Sequence, residues 1–178
     1  MITLKEKYEK ILPTLGVTLG TKNRFALPRL SKVVINAGTG KLREKKQAAL
    51  IVDRLAKITG QKPSPRGAKK SIASFKVREG ETIGQMVTLR GKRMYGFLDK
   101  LINVAVPRMR DFRGFDEKSM DATGNLTISI REHTIFPETA DEELKDVFGF
   151  AITIVTTAKN RDQALTFFRT LGFPFKKF

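Results

Sequence analysis

Between Arg66 and Arg93 the chain alternates apolar and polar positions on either side of a short turn, Arg78-Glu79-Gly80-Glu81. Ala73, Phe75 and Val77 fall on one side of the first run, and Ser74, Lys76 and Arg78 on the other. In the second run Val87 and Leu89 alternate with Thr88 and Arg90. A period of two predicts a half-buried hairpin, apolar inside and polar or cationic outside. Arg66, Lys69 and Lys70 precede it, and Arg90, Lys92 and Arg93 follow.

Helical periodicity accounts for most of the rest. Leu4, Tyr8, Ile11, Leu12 and Leu15 form one stripe, with Pro13 predicting an end or a kink near Leu12. The run Arg29 to Asn36 reads as a strand, with Ser31, Val33 and Ile35 on one face and Lys32, Val34 and Asn36 on the other. After the turn Asn36-Ala-Gly-Thr-Gly-Lys41 a helix runs to Thr59, burying Ala48, Ile51, Val52, Leu55 and Ile58, and Gly60 stops it. Gln61 to Pro65 reads as an extended connection. Met94, Phe97, Leu98, Leu101, Ile102 and Ala105 mark a third helix, ending at Pro107. Turn chemistry at Asp121 to Asn125 leads into a strand from Leu126, and Phe148 to Thr157 is the most β-prone run. Asn160 caps a last helix with Ala164, Leu165, Phe168 and Leu171 in its core stripe. The order α-β-α-ββ-α-ββ-α predicts an α+β fold in one domain, residues 1–178. Its sheet is mostly antiparallel, with helices packed on one face and the other left open.

Charge narrows the partners. The 178 residues carry a net +16, unevenly spread: from Arg54 to Arg113 there are 15 Lys and Arg against 4 Asp and Glu. From Glu138 to Asp146 five acids face Lys145 alone. An excess of this size speaks of partners rather than fold, and nucleic acid suits it best. The acidic stretch has two readings: carboxylates at Asp141, Glu142 and Glu143 favouring a helix start, or a negative patch for a basic protein. No cysteine and a single histidine leave no usual metal or thiol chemistry, and no cofactor is expected. The N-terminal residues lack a signal or transit pattern, and no apolar run reaches the ~18–20 residues of a membrane span, so a cytoplasmic protein without a membrane partner is expected.

The glycine turn after Asn36 fails as a phosphate-cradling loop, because Ile35 and Leu42 stand where glycine and Ser/Thr are needed. Asn36 itself either caps the turn or offers hydrogen bonds to a partner. His133 reads as a surface residue beside Arg131, and no activated nucleophile is in view, so no catalytic residue is assigned. Phe112, between Arg110 and Arg113, either stacks on bases or tucks into the core. The competing readings are a general DNA-binding or nucleoid protein, which the charge alone allows, and an NTP-dependent enzyme.

Gly60-Gln-Lys-Pro63, Ala68-Lys-Lys-Ser-Ile-Ala73, Val87-Thr-Leu-Arg-Gly91, Arg110-Asp-Phe-Arg-Gly114, Ile135-Phe-Pro-Glu138 and Thr156-Thr-Ala-Lys159 are a specific set. In them the chain resembles the bacterial-type family of large-subunit ribosomal protein L-five, nearly end to end. It departs from the family's habit at Ala151, His133 and the residues before Gly124. The resemblance implies a non-catalytic ribosomal protein that binds 5S rRNA and attaches it in the central protuberance, beside 23S rRNA and other 5S-associated large-subunit proteins. It implies RNA recognition by Asn36, Gln61 and Thr88, with Lys32, Arg90, Lys92, Arg93, Arg110 and Arg113 as supporting cations. Arg66, Lys69, Lys70, Lys76 and Arg78 would face peptidyl-site tRNA. Glu138, Asp141, Glu142 and Glu143 would face the small-subunit protein S-thirteen across an intersubunit bridge.

Overall fold

The computed structural model describes residues 3–21, 23–40, 45–140 and 147–176. Along the chain come α1 (Leu4–Thr18), β1 (Leu30–Gly38), α2 (Lys45–Thr59), β2 (Ser64–Gly67), β3 (Thr82–Leu89), α3 (Gly91–Lys100), β4 (Leu126–Ile130), β5 (Phe150–Thr156) and α4 (Arg161–Leu171). The strands form one antiparallel sheet in the order β2-β3-β1-β5-β4, the α+β architecture that the residue pattern predicts. Burial alternates along β4, β5 and most of β1, whereas in β3 the neighbours Gly84 and Gln85 are both buried. In β1, Val33, Ile35 and Ala37 are buried while Asn36 and Gly38 are exposed. In β4, Leu126, Ile128 and Ile130 are buried, and Thr127 and Ser129 are exposed. The residues gather into two compact units, Met1–Val33 with Leu89–Ile128 and Thr153–Phe178, and Val34–Thr88 with Ser129–Ile152.

In the first unit α1 packs on α3 and α4, and Tyr8 meets Phe167 edge-on at 6.1 Å. A capping box at Thr3 and Glu6 starts α1, and the Leu4 N–H donates to the Asp99 carboxylate at 2.8 Å. The break expected at Pro13 does not occur: α1 continues to Thr18 with Pro13 exposed inside it. Leu12 and Leu15 are buried on either side of the proline, so apolar burial carries the helix past one missing hydrogen bond. Beyond α3 the chain winds through a π turn, Leu101–Ala105, and a 3-10 turn, Val106–Arg108. The extra residue per turn lets Leu101, Ala105 and Val106 all face inward. Asn160 caps α4 as expected, its side chain accepting from the Gln163 N–H at 2.9 Å.

The second unit takes its core from Ile35, Ala37, Ile51, Leu55, Ile58, Val87, Ile130, Phe136, Phe150 and Ile152. His133 belongs to this core and not to the surface. It is 0% exposed, its ring stacks on Phe148 at 4.3 Å, and its Nδ1 accepts from the Phe148 N–H at 3.3 Å. The strand expected to run through it ends at Ile130, and a 3-10 turn, His133–Ile135, turns the imidazole inward.

The hairpin also differs from expectation. The partner of β3 is β2, which starts in the stretch read as a connection and runs past it to Gly67, in the register Ser64↔Met86, Pro65↔Gln85 and Arg66↔Gly84. The run 73–77 is no strand: Ala73–Phe75 is a 3-10 turn, Lys76 is left-handed at φ 53°, and Phe75 is 74% exposed. Its apparent alternation reflects a local knot, in which Ile72 and Val77 form a bridge and Ser71 Oγ accepts from the Glu79 N–H at 2.9 Å.

Candidate nucleic-acid interface

Within the second unit, the end of α2 fixes the first element of the interface. Gly60 takes a left-handed φ of 66° and donates its N–H to the Ala56 carbonyl at 2.8 Å, closing the helix. The Thr59 hydroxyl, buried, donates to the Leu55 carbonyl at 2.6 Å and accepts from the Gln61 N–H at 3.3 Å. Gln61 is thereby aimed at β3, where its Nε2 donates to the Thr88 carbonyl at 3.4 Å. Thr88 lies on the side of β3 opposite the buried Val87 and Leu89. Four residues earlier on that side is Gly84, about 13 Å away along the strand. A Cβ at Gly84 would come to 3.9 Å from both Asn36 Oδ1 and Arg66 Cβ, and to 3.3 Å from the Ala37 carbonyl. Only the Ala37 carbonyl is tighter than ordinary contact, so the missing side chain eases that backbone approach, while Asn36 and Arg66 flank the point at contact distance.

The structure thus brings Gln61 to Thr88 of β3, and sets Asn36 of β1 and Arg66 of β2 on either side of Gly84 in the intervening β3. Arg66, grouped by sequence with the cations of the following loop, stands at the sheet instead. Among the described residues neither the Asn36 carboxamide nor the Thr88 hydroxyl has a hydrogen-bond partner. An uncharged donor-acceptor set left open in this way can take hydrogen bonds from a ligand without the large desolvation penalty of an ion.

The loop between β2 and β3 carries the second cluster. Its neck is closed by Ala68 N–H to Glu81 O at 2.8 Å and Gly80 N–H to Ala68 O at 3.0 Å, and Gly67 runs against Gly80 too closely for a side chain. Lys69, Lys70, Lys76 and Arg78 are exposed on this closed loop with Ile72 and Phe75. The concavity beneath, about 1510 Å³, is lined by Gly38, Gly40, Gly67, the three lysines and Phe75. Pattern reading places Phe75 inside and so misses an exposed aromatic among cations. The density of lysine around it is the one signal in the sequence that marks the loop as surface.

The first unit holds the remaining cations. Arg90, Lys92 and Arg93 are exposed at the start of α3, where no acid balances them and the helix dipole opposes them by roughly 0.3–1 kcal/mol each. Arg110 and Arg113 are exposed, and Lys32 is half-buried. Phe112 between the two arginines is turned inward, edge-on to Phe115 at 5.1 Å. Among the described residues, none of these cations or those of the loop is paired with a carboxylate. Glu138 is exposed in the turn Pro137–Thr139, whereas Asp141, Glu142 and Glu143 lie outside the described residues.

Uncompensated cations in both units and open amide and hydroxyl groups in the second are the features of a nucleic-acid-binding α+β protein. Two family models match the chain: Ribosomal protein L5 over residues 23–78, and the C-terminus of the same ribosomal family over residues 82–175. The Large ribosomal subunit protein uL5 of Halothermothrix orenii is 48% identical over 179 residues, covering 99% of this chain and 100% of that protein. The uL5 of Desulfatibacillum aliphaticivorans is 49% identical over 179 residues (99% and 100%), and that of Anaeromyxobacter sp. strain K 47% over 176 residues (98% and 98%). The chain belongs to the ribosomal protein L5 family. It is a structural, RNA-binding constituent of the large ribosomal subunit, acting in translation in the cytoplasm, and not an enzyme. That membership removes the nucleoid and NTP-enzyme readings.

Proposed function

We propose that this protein binds 5S rRNA through Asn36, Gln61 and Thr88 and so helps attach it in the central protuberance, beside 23S rRNA and other 5S-associated proteins. The observation that carries the reading is the pair of open groups, the Asn36 carboxamide near Gly84 and the Thr88 hydroxyl beside Gln61, on the sides of their strands opposite the buried Ile35 and Val87. Hydrogen-bonding groups specify, and the surrounding Lys and Arg supply affinity that does not depend on sequence. Asn36→Ala and Thr88→Ala should each weaken 5S rRNA binding by about 5- to 150-fold, the equivalent of ~1–3 kcal/mol, with the fold intact. Filter binding with circular dichroism checks this, and folded variants with parental affinity would refute it.

The closed loop bearing Lys69, Lys70, Lys76 and Arg78 is assigned to peptidyl-site tRNA. An ordered, cationic loop with Phe75 at its surface suits a phosphate backbone and an exposed base or ribose. Removing one of these cations should flatten the slope of log K against log salt for tRNA by roughly 0.7–1, while 5S rRNA affinity changes less than in the Asn36 and Thr88 variants. A larger loss for 5S rRNA would reverse the assignment. Glu138 and the acids at 141–143 are assigned to the basic small-subunit protein S-thirteen. Charge reversal at Glu138, Glu142 and Glu143 should weaken subunit association at low salt and leave 5S rRNA binding unchanged. Unchanged association would leave those acids to helix capping alone.

A further inference from the structure

Phe25 is the most exposed large apolar side chain of the described residues, at 92%, and Val17 follows at 85%. Phe25 is not on a loose segment. The 3-10 turn Arg24–Ala26 is capped by Asn23, whose side chain accepts from the Phe25 N–H at 2.9 Å, and the Ala26 N–H closes on the Asn23 carbonyl at 3.1 Å. Leu27 and Pro28 immediately after it are buried, so the turn is anchored and presents the ring outward. The fold thus forgoes the stabilisation that burying a phenylalanine brings.

The surroundings indicate what the ring meets. Arg24 and Arg29 are exposed on either side of it in the chain, and among the described residues neither has a carboxylate partner. Both guanidiniums bear on one group, the Tyr8 hydroxyl: burial raises its pKa, and the two arginines partly offset that rise. Along the chain they bracket the turn that carries the ring. Beside it lies a concavity of about 580 Å³, lined by Leu12, Pro13, Val17, Arg24 and Leu27, with the Glu9 carboxylate also on its wall, so that phosphates belong at the arginines outside it. An apolar protein segment would suit the concavity alone but would desolvate two unpaired arginines. A nucleotide satisfies both, with its base on the ring and its phosphates on the cations.

We propose that the turn Asn23–Leu27 is a second RNA contact, at which Phe25 stacks on an unpaired base of ribosomal RNA and Arg24 and Arg29 hold the adjoining phosphates. This rests on the protein's RNA-binding role but not on Asn36, Gln61 or Thr88. The sequence contains no tryptophan, so Phe25→Trp introduces a single fluorescent reporter at the contact. Titrated separately with 5S rRNA and with 23S rRNA, its emission should be quenched saturably and shielded from acrylamide by one of them, which identifies the source of the base. Phe25→Ala should weaken that RNA by about 5- to 150-fold, and Phe25→Trp should not. Arg24→Ala and Arg29→Ala should each flatten the salt slope by roughly 0.7–1. Unchanged emission with both RNAs, together with parental affinity for Phe25→Ala, overturns the proposal and leaves the face to a protein. If Phe25→Ala weakens binding while Asn36→Ala and Thr88→Ala do not, the sheet assignment fails and this one stands. The opposite pattern sinks this one alone.

Discussion

His133→Ala tests the burial of the second unit's histidine, because the two readings of that residue differ by several kcal/mol. On a surface strand the substitution would stay within about 0.5 kcal/mol of the parent. In the structure it removes three things at once. The ring stacks on Phe148 at 4.3 Å and 15°, worth about 0.5–1.5 kcal/mol beyond the area it covers. Its Nδ1 is the acceptor for the Phe148 N–H, and an amide left without one costs about 1–3 kcal/mol. The imidazole is fully buried, so its loss also leaves a cavity that its neighbours fill only in part. Together these predict a loss of about 3–5 kcal/mol, or a fall in Tm of about 6–20 °C for a chain of this size. His133→Gln keeps an acceptor within reach of the same N–H and should recover about a third to a half of the loss. Differential scanning calorimetry on the three proteins decides the matter. A His133→Ala transition within 2 °C of the parent, or a glutamine variant no better than alanine, would refute the reasoning (2 °C being about 0.5–1 kcal/mol here).

Gly124→Ala should be among the most damaging single-methyl changes. Its Cβ would lie 2.6 Å from Ala164 Cβ at a φ of 84°, so strain and overpacking together cost about 2–5 kcal/mol, read as a lowered urea midpoint. A midpoint equal to the parent's would mean that α4 shifts freely, against the packing described above. The Asp121 turn should loosen in acid. Partial desolvation pushes this carboxyl up, but hydrogen bonds from the Asn125 N–H, the Asn125 amide and Thr123 outweigh it and hold the pKa below the ordinary 3.8. A depressed value means that its contribution is complete above 3.8 and disappears as pH falls through the folded value. Amide protection at Asn125 should therefore hold down to that point and then fall, and Asp121→Asn should flatten the profile. Protection already lost between about pH 6 and 5 would contradict the sign.

Much of this was legible in the chain. The period-two pattern of β1 puts Asn36 opposite the buried Val33 and Ile35, the helical stripes mark Leu12, Leu55 and Leu98 as core, and Asn160 announces its helix. What could not be read was non-local or borderline. Pro63 and Pro65 argue against a strand, yet β2 lies at the edge of the sheet, where a residue without an N–H breaks no ladder. The seven residues after Lys70 imitate a strand because a short alternation does not distinguish a strand from a turn closed by its own hydrogen bonds. His133 is buried by a phenylalanine fifteen positions away, and Gln61 meets Thr88 across 27. No window of local sequence contains either pairing. Thr88 is singled out by family likeness, and its neighbour only the fold supplies.

The packing of α1 against α4 sets a timetable for synthesis. Residues 4–18 leave the ribosome well before the helix that covers them, residues 161–171. At ~5–20 residues per second, the roughly 140 residues between them take on the order of 7–30 s to appear. Late in that interval, once residues up to Arg113 have emerged, Leu12 and Leu15 still lack part of their cover while the nascent chain already displays most of its positive charge. A chain in that state attracts polyanions before it can offer them a folded surface. A truncation that removes α4 should therefore yield a protein that sticks to RNA without selectivity, a liability that ends only when the last helix docks.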